Sequence, residues 1–212
     1  MMRLYGAKGF GSVIVEAALT LLDEPYENID LPADSPAAFL EAARAVNPML
    51  QVPALLLPSG ELVTESAAIL IWLADKHGKL APGVDDPARA QFLRWMVYVP
   101  AAIYSLYWIR DEPSRLAADK DAEGVLLERT AARIAECWKI MDEQVSPGRY
   151  LLGDELTVLD LYVAVVSRWT PRRRRFYQVA PKMAEVVRRV DADPRLAALW
   201  AERFPFEEGW EG

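Results

Sequence analysis

Hydrophobic and polar positions follow two periodicities over the first eighty residues, and together these predict a mixed sheet packed against helices. Short apolar or alternating runs indicate strands at Met2–Tyr5, Tyr26–Leu31, Val52–Leu57 and Glu61–Val63. Apolar residues at helical spacing indicate helices at Ser12–Leu22, 36–46 and Thr64–Lys76, the second with Ser35 as N-cap and Pro36 at its first position. The order βαβαββα indicates a parallel unit followed by a hairpin.

Strand signals nearly vanish after residue 80, and the pattern predicts an α-helical bundle. Helices are expected at Pro87–Arg110, Ala122–Gln144, Thr157–Trp169, Pro181–Asp191 and Arg195–Arg203. The division predicted from this change is an α/β domain at 1–79, a linker at 80–86 and an all-helical domain at 87–212. A cleft between two such units is a natural place for a ligand.

Composition narrows the classes of function. Apolar residues make up 52% of the 212, and 24 basic against 31 acidic residues give a net charge of −7, so a nucleic-acid partner is not expected. A single cysteine and a single histidine leave no disulfide and no metal site to expect. The N-terminus does not resemble a signal peptide, and the apolar run 96–109 is too short to span a membrane. These features predict a soluble cytoplasmic protein.

The segment Gln51-Val52-Pro53 precedes the third predicted strand. If the bond between Val52 and Pro53 is cis, the backbone of Val52 turns outward and can pair with a bound peptide as an added strand does. Without that bond, Pro53 is simply the first residue of a buried strand.

Glu65 and Ser66 begin the third predicted helix. In the structural interpretation, Thr64 or Ser66 caps the helix and Glu65 interacts favourably with its dipole. In the functional interpretation, free N–H groups and the Ser66 hydroxyl hold a carboxylate, while Glu65 accepts from an ammonium. Together they would grip an amino-acid-like end of a ligand.

A glycine-rich turn, residues 6–11, joins the first strand to the first helix. Ser12, which follows it, is either a helix N-cap or a hydroxyl donor to a bound thiolate. Stabilising a thiolate enough to lower its pKa by about two units takes roughly 2.7 kcal/mol, which hydrogen bonds and a helix dipole can supply.

Taken in order, these motifs resemble the glutathione transferase superfamily over nearly the whole chain. Asn47-Pro48 with Gln51-Val52-Pro53 is similar to the family's loop into a cis-proline strand, and Glu65-Ser66 to its Glu-Ser signature. The segment 151–160 resembles its C-terminal folding motif, in which Thr157 and Asp160 form a capping box. The resemblance implies a thioredoxin-like domain followed by a helical bundle, glutathione as cosubstrate without a metal, and a homodimer.

The resemblance also implies a glutathione site. Val52, across a cis Pro53, would bind the cysteinyl backbone, and Glu65 with Ser66 the γ-glutamyl end. Gln51 would help at that end or along the backbone, and Arg44 is the basic candidate for the glycyl carboxylate.

The thiol-activating group is where the sequence departs from the family. Gly11 stands where a cysteine-type enzyme has its cysteine, and Ser12 is the adjacent hydroxyl. Ser12 ranks first as the catalytic residue and Tyr5 second, with Lys8 as a further charge donor. Tyr5 is alternatively a core residue, and the missing cysteine argues against disulfide chemistry.

The remaining candidates divide into pocket and structural residues. By resemblance to the family, the first helix of the back half would line the acceptor pocket, and it carries Tyr98, Ile103, Tyr104 and Tyr107. Phe10, in the glycine-rich turn, is also expected to line this pocket. Cys137 is expected to be a buried apolar residue, and His77 to stabilise a helix C-terminus. The run Arg172–Arg175 is expected to be a solvated turn paired with carboxylates.

The leading hypothesis is therefore conjugation of glutathione to a hydrophobic electrophile, a detoxification reaction. Glutathione-dependent isomerisation, peroxide reduction or dehalogenation would use the same thiolate. A non-catalytic ligand carrier or regulatory protein with the same fold is the alternative from another class.

Overall fold

The computed structural model describes all 212 residues and confirms the predicted order of elements in the front half. The bounds of each observed element lie within two residues of the predicted ones. The bounds are β1 Met2–Gly6, α1 Ser12–Leu21, β2 Tyr26–Asp30, α2 Pro36–Arg44, β3 Ala54–Leu56, β4 Leu62–Thr64 and α3 Ser66–His77.

The four strands form one mixed sheet in the order β2-β1-β3-β4. Strand β1 runs parallel to β2 and antiparallel to β3, and β3 pairs antiparallel with β4. Tyr5 lies opposite Ala54, and Ala54 lies opposite Thr64. The end of β1, the start of β3 and the end of β4 therefore meet at one edge of the sheet.

Local sequence signals set the helix ends of the front half. The Ser35 hydroxyl accepts a hydrogen bond from the N–H of Ala38 at 3.4 Å, which makes it the predicted N-cap of α2. Helix α3 ends at Gly78, whose φ of 60° is the left-handed conformation that glycine adopts without strain. His77 closes α3 as predicted, with Nε2 2.8 Å from the Glu24 carboxylate.

The back half is the predicted helical bundle, although its first helix is interrupted. Pro100 has no N–H to donate to the preceding turn, and the chain passes from α4 through a π-helical turn, Val99–Tyr104, into α5. The helices are α4 Arg89–Tyr98, α5 Ser105–Asp111, α6 Lys120–Gln144, α7 Val158–Val166, α8 Arg172–Val179, α9 Pro181–Asp191 and α10 Ala197–Arg203, with a 3₁₀ turn at Pro113–Arg115.

The four-arginine run corrects one prediction. It begins helix α8 rather than forming a solvated turn, and the side chain of Arg173 is completely buried. Its guanidinium donates to both carboxylate oxygens of Asp191, at 2.8 and 3.0 Å, and to the Ala164 carbonyl at 2.6 Å. Arg173 thus has the predicted carboxylate partner in the interior, whereas Arg174 is exposed.

Helix α7 runs through the middle of the molecule and begins at the predicted capping box. Thr157 accepts from the N–H of Asp160, and the Asp160 carboxylate accepts from the Thr157 N–H and hydroxyl at 2.8 and 2.7 Å. The other carboxylate oxygen accepts from the Leu151 N–H at 2.8 Å. All residues of α7 are buried, so this box fixes the start of a helix that has no face on the solvent.

Apolar side chains from both halves form one continuous core. It joins Ile14 of α1 and Leu70 of α3 to Val163 of α7 and Trp138 of α6. Cys137 lies fully buried in this core, as expected of an apolar residue. No helix combines the length and the hydrophobicity that crossing a membrane requires.

Candidate functional site

Three loops meet at the sheet edge where Tyr5, Ala54 and Thr64 are aligned. The glycine-rich turn follows β1, the Val52-Pro53 segment precedes β3, and Glu65 follows β4 at the start of α3. The sheet register therefore brings the three motifs that sequence analysis singled out to the same edge.

The peptide bond between Val52 and Pro53 is cis, as predicted. The loop before it is held by Asn47, whose amide donates to the Gln51 carbonyl at 2.9 Å and accepts from the Met49 N–H at 3.0 Å. The N–H and carbonyl of Val52 make no hydrogen bond within the protein. This leaves one backbone donor and one backbone acceptor, just before β3, free to pair with an extended ligand.

Glu65 and Ser66 lie at the first turn of α3, yet neither caps the helix through its side chain. Glu65 is exposed and has a φ of 65°, and the Ser66 hydroxyl lies 2.8 Å from the hydroxyl of Tyr162 on α7. The first N–H groups of any α-helix lack partners inside that helix. The end of α3 therefore offers free amide donors beside an exposed carboxylate.

The glycine-rich turn is fixed by groups from the back half. The indole N–H of Trp169 donates to the Gly9 carbonyl at 2.9 Å, and the Gly9 N–H donates to the Arg203 carbonyl at 2.8 Å. Gly6 is required because a Cβ there would lie 2.4 Å from the Ser12 side chain. Tyr162 and Trp169 support these loops through long-range contacts, which the periodicity of their own segments does not reveal.

The two predicted thiol-activating side chains do not open onto the cleft. The Ser12 hydroxyl is fully buried, donates to the Ala7 carbonyl and accepts from the Ala7 N–H, each at 3.1 Å. Gly11, rather than Ser12, is the N-cap residue of α1. Tyr5 is half-buried on the same face of β1 as the exposed Arg3, so it does not face the core.

A cavity of about 790 Å³ opens between the glycine-rich turn and the helical half. Three of the expected pocket residues, Tyr104, Tyr107 and the exposed Phe10, line this cavity, and Phe10 stacks on Phe39 with ring centroids 5.7 Å apart. Tyr98 does not line it, because its hydroxyl donates to the Cys137 carbonyl at 3.0 Å on the side of α6.

The cavity is more polar than the expected aromatic pocket. Charged residues line it together with the rings of Trp169, Phe204 and Trp210; they are Lys8, Arg110, Asp111, Arg168, Arg172, Arg203, Glu207 and Glu208. Lys8, the further charge donor considered from the sequence, is one of the lining residues, while Arg44 is exposed in the last turn of α2.

Arg168, like Arg203, is a buried member of this set of cations. Its guanidinium lies over the rings of Phe204 and Phe206, with centroids 3.6 and 4.2 Å away, and donates to the Phe204 and Pro205 carbonyls at 2.7 Å. Burial lowers the pKa of Arg168 to about 10. Arg168 remains charged at neutral pH and fastens the C-terminal segment to one wall of the cavity.

Tyr104 links the cavity to the glycine-rich turn. Its ring packs against Trp169 and Tyr162, with centroids 4.9 and 6.3 Å away. A Cβ added to Gly11 would lie 2.0 Å from the Tyr104 hydroxyl oxygen. Burial raises the pKa of Tyr104, and the negative charges of Asp111 and Glu65 raise it further. Ser66, Tyr162, Tyr104 and Gly11 thus form one chain of contacts, of which Tyr104 and Gly11 line the cavity.

The site combines a cis-proline loop, a Glu-Ser helix start and a glycine-rich turn at one sheet edge, beside a helical bundle. This combination defines the class of protein with which the chain is compared. The family model described as "Glutathione S-transferase, N-terminal domain" matches residues 12–76. The uncharacterized GST-like protein YncG of Escherichia coli (strain K12) is 32% identical over 198 residues, which cover 92% of this chain and 95% of that protein. The chain belongs to the glutathione S-transferase family.

Solved structures agree with this assignment. A glutathione transferase homolog from Sulfitobacter, with bound glutathione, superimposes with a TM-score of 0.80 at 25% identity, covering 95% of this chain and 97% of that one. A sphingomonad glutathione S-transferase complexed with glutathione gives a TM-score of 0.74 at 24% identity, covering 96% and 100%. The second likeness is one of fold alone.

Proposed function

We propose that this protein binds glutathione at the sheet edge and conjugates it, through its sulfur, to a hydrophobic electrophile held in the cavity. The observation that carries the proposal is the alignment of Tyr5, Ala54 and Thr64, because it brings the three motifs proposed to bind the ligand to one edge of the sheet. Family membership and the glutathione bound in the Sulfitobacter relative support it.

In this proposal the peptide lies along the unpaired backbone of Val52. The free N–H and carbonyl of Val52 pair with the cysteinyl residue of glutathione, as neighbouring strands pair. At the γ-glutamyl end, Glu65 accepts from the α-ammonium, and the α-carboxylate meets Ser66 and the free N–H groups of α3. Gln51 is exposed beside this end, and Arg44 is the proposed partner of the glycyl carboxylate.

The proposed reaction is a nucleophilic displacement. The thiol proton leaves to water, the thiolate lone pair forms a carbon–sulfur bond, and the leaving group departs with the electron pair of the bond that breaks. A cavity of about 790 Å³ lies within the range of roughly 300–1,000 Å³ typical of small-molecule sites. The rings of Tyr107 and Trp169 offer aromatic surface to an apolar acceptor.

The first test measures glutathione binding by calorimetry and turnover with a chlorinated nitroaromatic acceptor. We expect saturable binding, and Glu65→Gln should weaken it about ten- to a hundredfold, since hydrogen bonds to charged groups contribute about 1.5–3 kcal/mol. Glu61→Gln is the matched control, because Glu61 is an exposed carboxylate on the same hairpin.

Two results would contradict the proposal. Absence of glutathione binding to the unaltered chain would reject it, and so would equal affinity of the Glu65→Gln and Glu61→Gln variants. Binding without turnover of any electrophile would instead favour a ligand carrier. The proposal includes a cytoplasmic homodimer that removes electrophiles, which rests on the family resemblance.

A further inference from the structure

A tyrosine from the helical half occupies the place where the glycine-rich turn has no side chain. Gly11 is buried at the start of α1, where a cysteine-type enzyme of the family carries its cysteine. An ideal Cβ at Gly11 would lie 2.0 Å from the oxygen and 2.9 Å from the nearest ring carbon of Tyr104. Position 11 therefore cannot carry a side chain while Tyr104 is in place, and the phenol fills that space.

The Tyr104 hydroxyl also has a free proton, as does the buried Tyr107 hydroxyl in the same cavity lining, but the Tyr104 oxygen is the one that lies against Gly11. The Ser12 hydroxyl is bonded to Ala7, the Tyr98 hydroxyl donates to Cys137, and the Tyr162 hydroxyl is bonded to Ser66. No carbonyl or side chain of the protein accepts from Tyr104, while the Gly11 N–H approaches its oxygen. Since Tyr104 lines the cavity, its proton is available to a ligand there.

We propose that the Tyr104 hydroxyl donates a hydrogen bond to the sulfur of bound glutathione and holds it as the thiolate. The inference rests on the proposed function, because it assumes glutathione at the sheet edge. Tyr104 lies between the glycine-rich turn and the start of α3, touching Gly11 on one side and Tyr162, the partner of Ser66, on the other. The thiol-activating group thus comes from the helical half rather than from Ser12 or Tyr5.

The charge state of Tyr104 suits a donor. Burial keeps its pKa above the usual value, with Asp111 and Glu65 adding to the shift. At neutral pH the phenol therefore keeps its own proton and cannot act as the base. The thiol proton leaves to water through the open cavity, and the thiolate receives the Tyr104 hydrogen bond together with the field at the start of α1.

The test compares hydroxyl-deleting variants of the full chain. Tyr104→Phe keeps the ring packed against Trp169 but removes the donor. The pKa of the bound glutathione thiol, followed by the ultraviolet absorbance of the thiolate, should rise by about one to two units. Turnover at neutral pH should fall about ten- to a hundredfold and recover at higher pH as the thiol ionises.

Tyr177→Phe is the matched control. It removes a hydroxyl on α8 that contacts only Arg173, at 3.3 Å, so the thiol titration should not change. Ser12→Ala tests the rival assignment in the same assay. A raised thiol pKa in Ser12→Ala with none in Tyr104→Phe would overturn the inference in favour of Ser12.

The outcomes separate this inference from the proposed function. If the unaltered chain binds glutathione but the bound thiol keeps the pKa it has in water, Tyr104 has no activating role while the binding site stands. If no glutathione binds, the proposed function fails and this inference fails with it. A shift that Tyr104→Phe alone abolishes supports both.

Discussion

At the scale of single residues, Arg173 differs from its three neighbours in the run. Its side chain is fully buried, and burial raises the pKa of its partner Asp191, a shift that Arg173 opposes. Two desolvated charges that satisfy each other add little net stability, yet removing one leaves the other buried without a partner. Substitution of Arg173 alone is therefore expected to destabilise the fold.

Arg173→Met should lower the free energy of unfolding by about 3–5 kcal/mol, because the Asp191 carboxylate would lose its partner in the interior. Arg174→Met, at an exposed position, should change it by no more than about 0.5 kcal/mol. Urea denaturation measures both. Adding Asp191→Leu to Arg173→Met should restore much of the loss, and equal midpoints for the two single variants would refute this account.

At the scale of elements, the capping box of α7 fixes a helix that is buried on all sides. The Asp160 carboxylate accepts hydrogen bonds from Leu151 and Thr157 at once, so it ties the preceding loop to the helix start. Although burial raises the pKa of Asp160 to about 6, the carboxylate is largely ionised at neutral pH. The groups of Leu151 and Thr157 that donate to this carboxylate are therefore paired at neutral pH.

Asp160→Asn should cost about 1–3 kcal/mol of unfolding free energy, since an amide turns a donor towards one of the buried N–H groups and leaves it unsatisfied. Ser35→Ala, at the more accessible cap of α2 with its 3.4 Å hydrogen bond, should cost less, about 0.5–1 kcal/mol. Thermal unfolding of both variants makes the comparison. If Ser35→Ala lowered the free energy of unfolding more than Asp160→Asn, burial would not determine how much a cap stabilises its helix in this protein.

Elements also show which features of the structure could be predicted from sequence. Local signals, such as Pro36 after Ser35 or Thr157 three residues before Asp160, specify helix starts, and the structure confirms them. The interruption at Pro100 follows from its missing N–H, but helical spacing continues across it and conceals the break. Helix α8 was missed because four charged residues give no apolar periodicity.

The residues of the candidate site likewise divide into those that the sequence could locate and those that it could not. Its three motifs lie on short segments with distinctive residues, so sequence located them, including the cis bond at Val52-Pro53. The direction of a side chain towards a distant partner has no local signal. Tyr98 faces Cys137 and Tyr104 faces Gly11 for reasons set by the packing of the two halves.

At the scale of the whole molecule, a buried ion cluster joins the last helix to the front half. Arg203 of α10 lies 2.7 Å from the Glu16 carboxylate on α1 and donates to Asp30 at 2.6 Å. Its carbonyl also accepts from the Gly9 N–H. One residue near the C-terminus therefore contacts both the sheet and the glycine-rich turn.

Arg203→Met should destabilise the whole chain by about 3–5 kcal/mol, because Glu16 would be left buried without its cation. Arg195→Met removes an arginine whose side chain is 59% exposed and should cost less than about 1 kcal/mol. Denaturation followed by tryptophan fluorescence measures the two. A loss no larger in Arg203→Met than in Arg195→Met would mean that this cluster does not hold the halves together.

The contact between Gly11 and Tyr104 constrains how this chain could change its chemistry. Introducing a cysteine at position 11 alone would drive its first side-chain atom into the phenol, so the Tyr104 side chain must move or be replaced by a smaller residue. A substitution at position 11 therefore acts directly on position 104, although the two lie nearly a hundred residues apart in the chain.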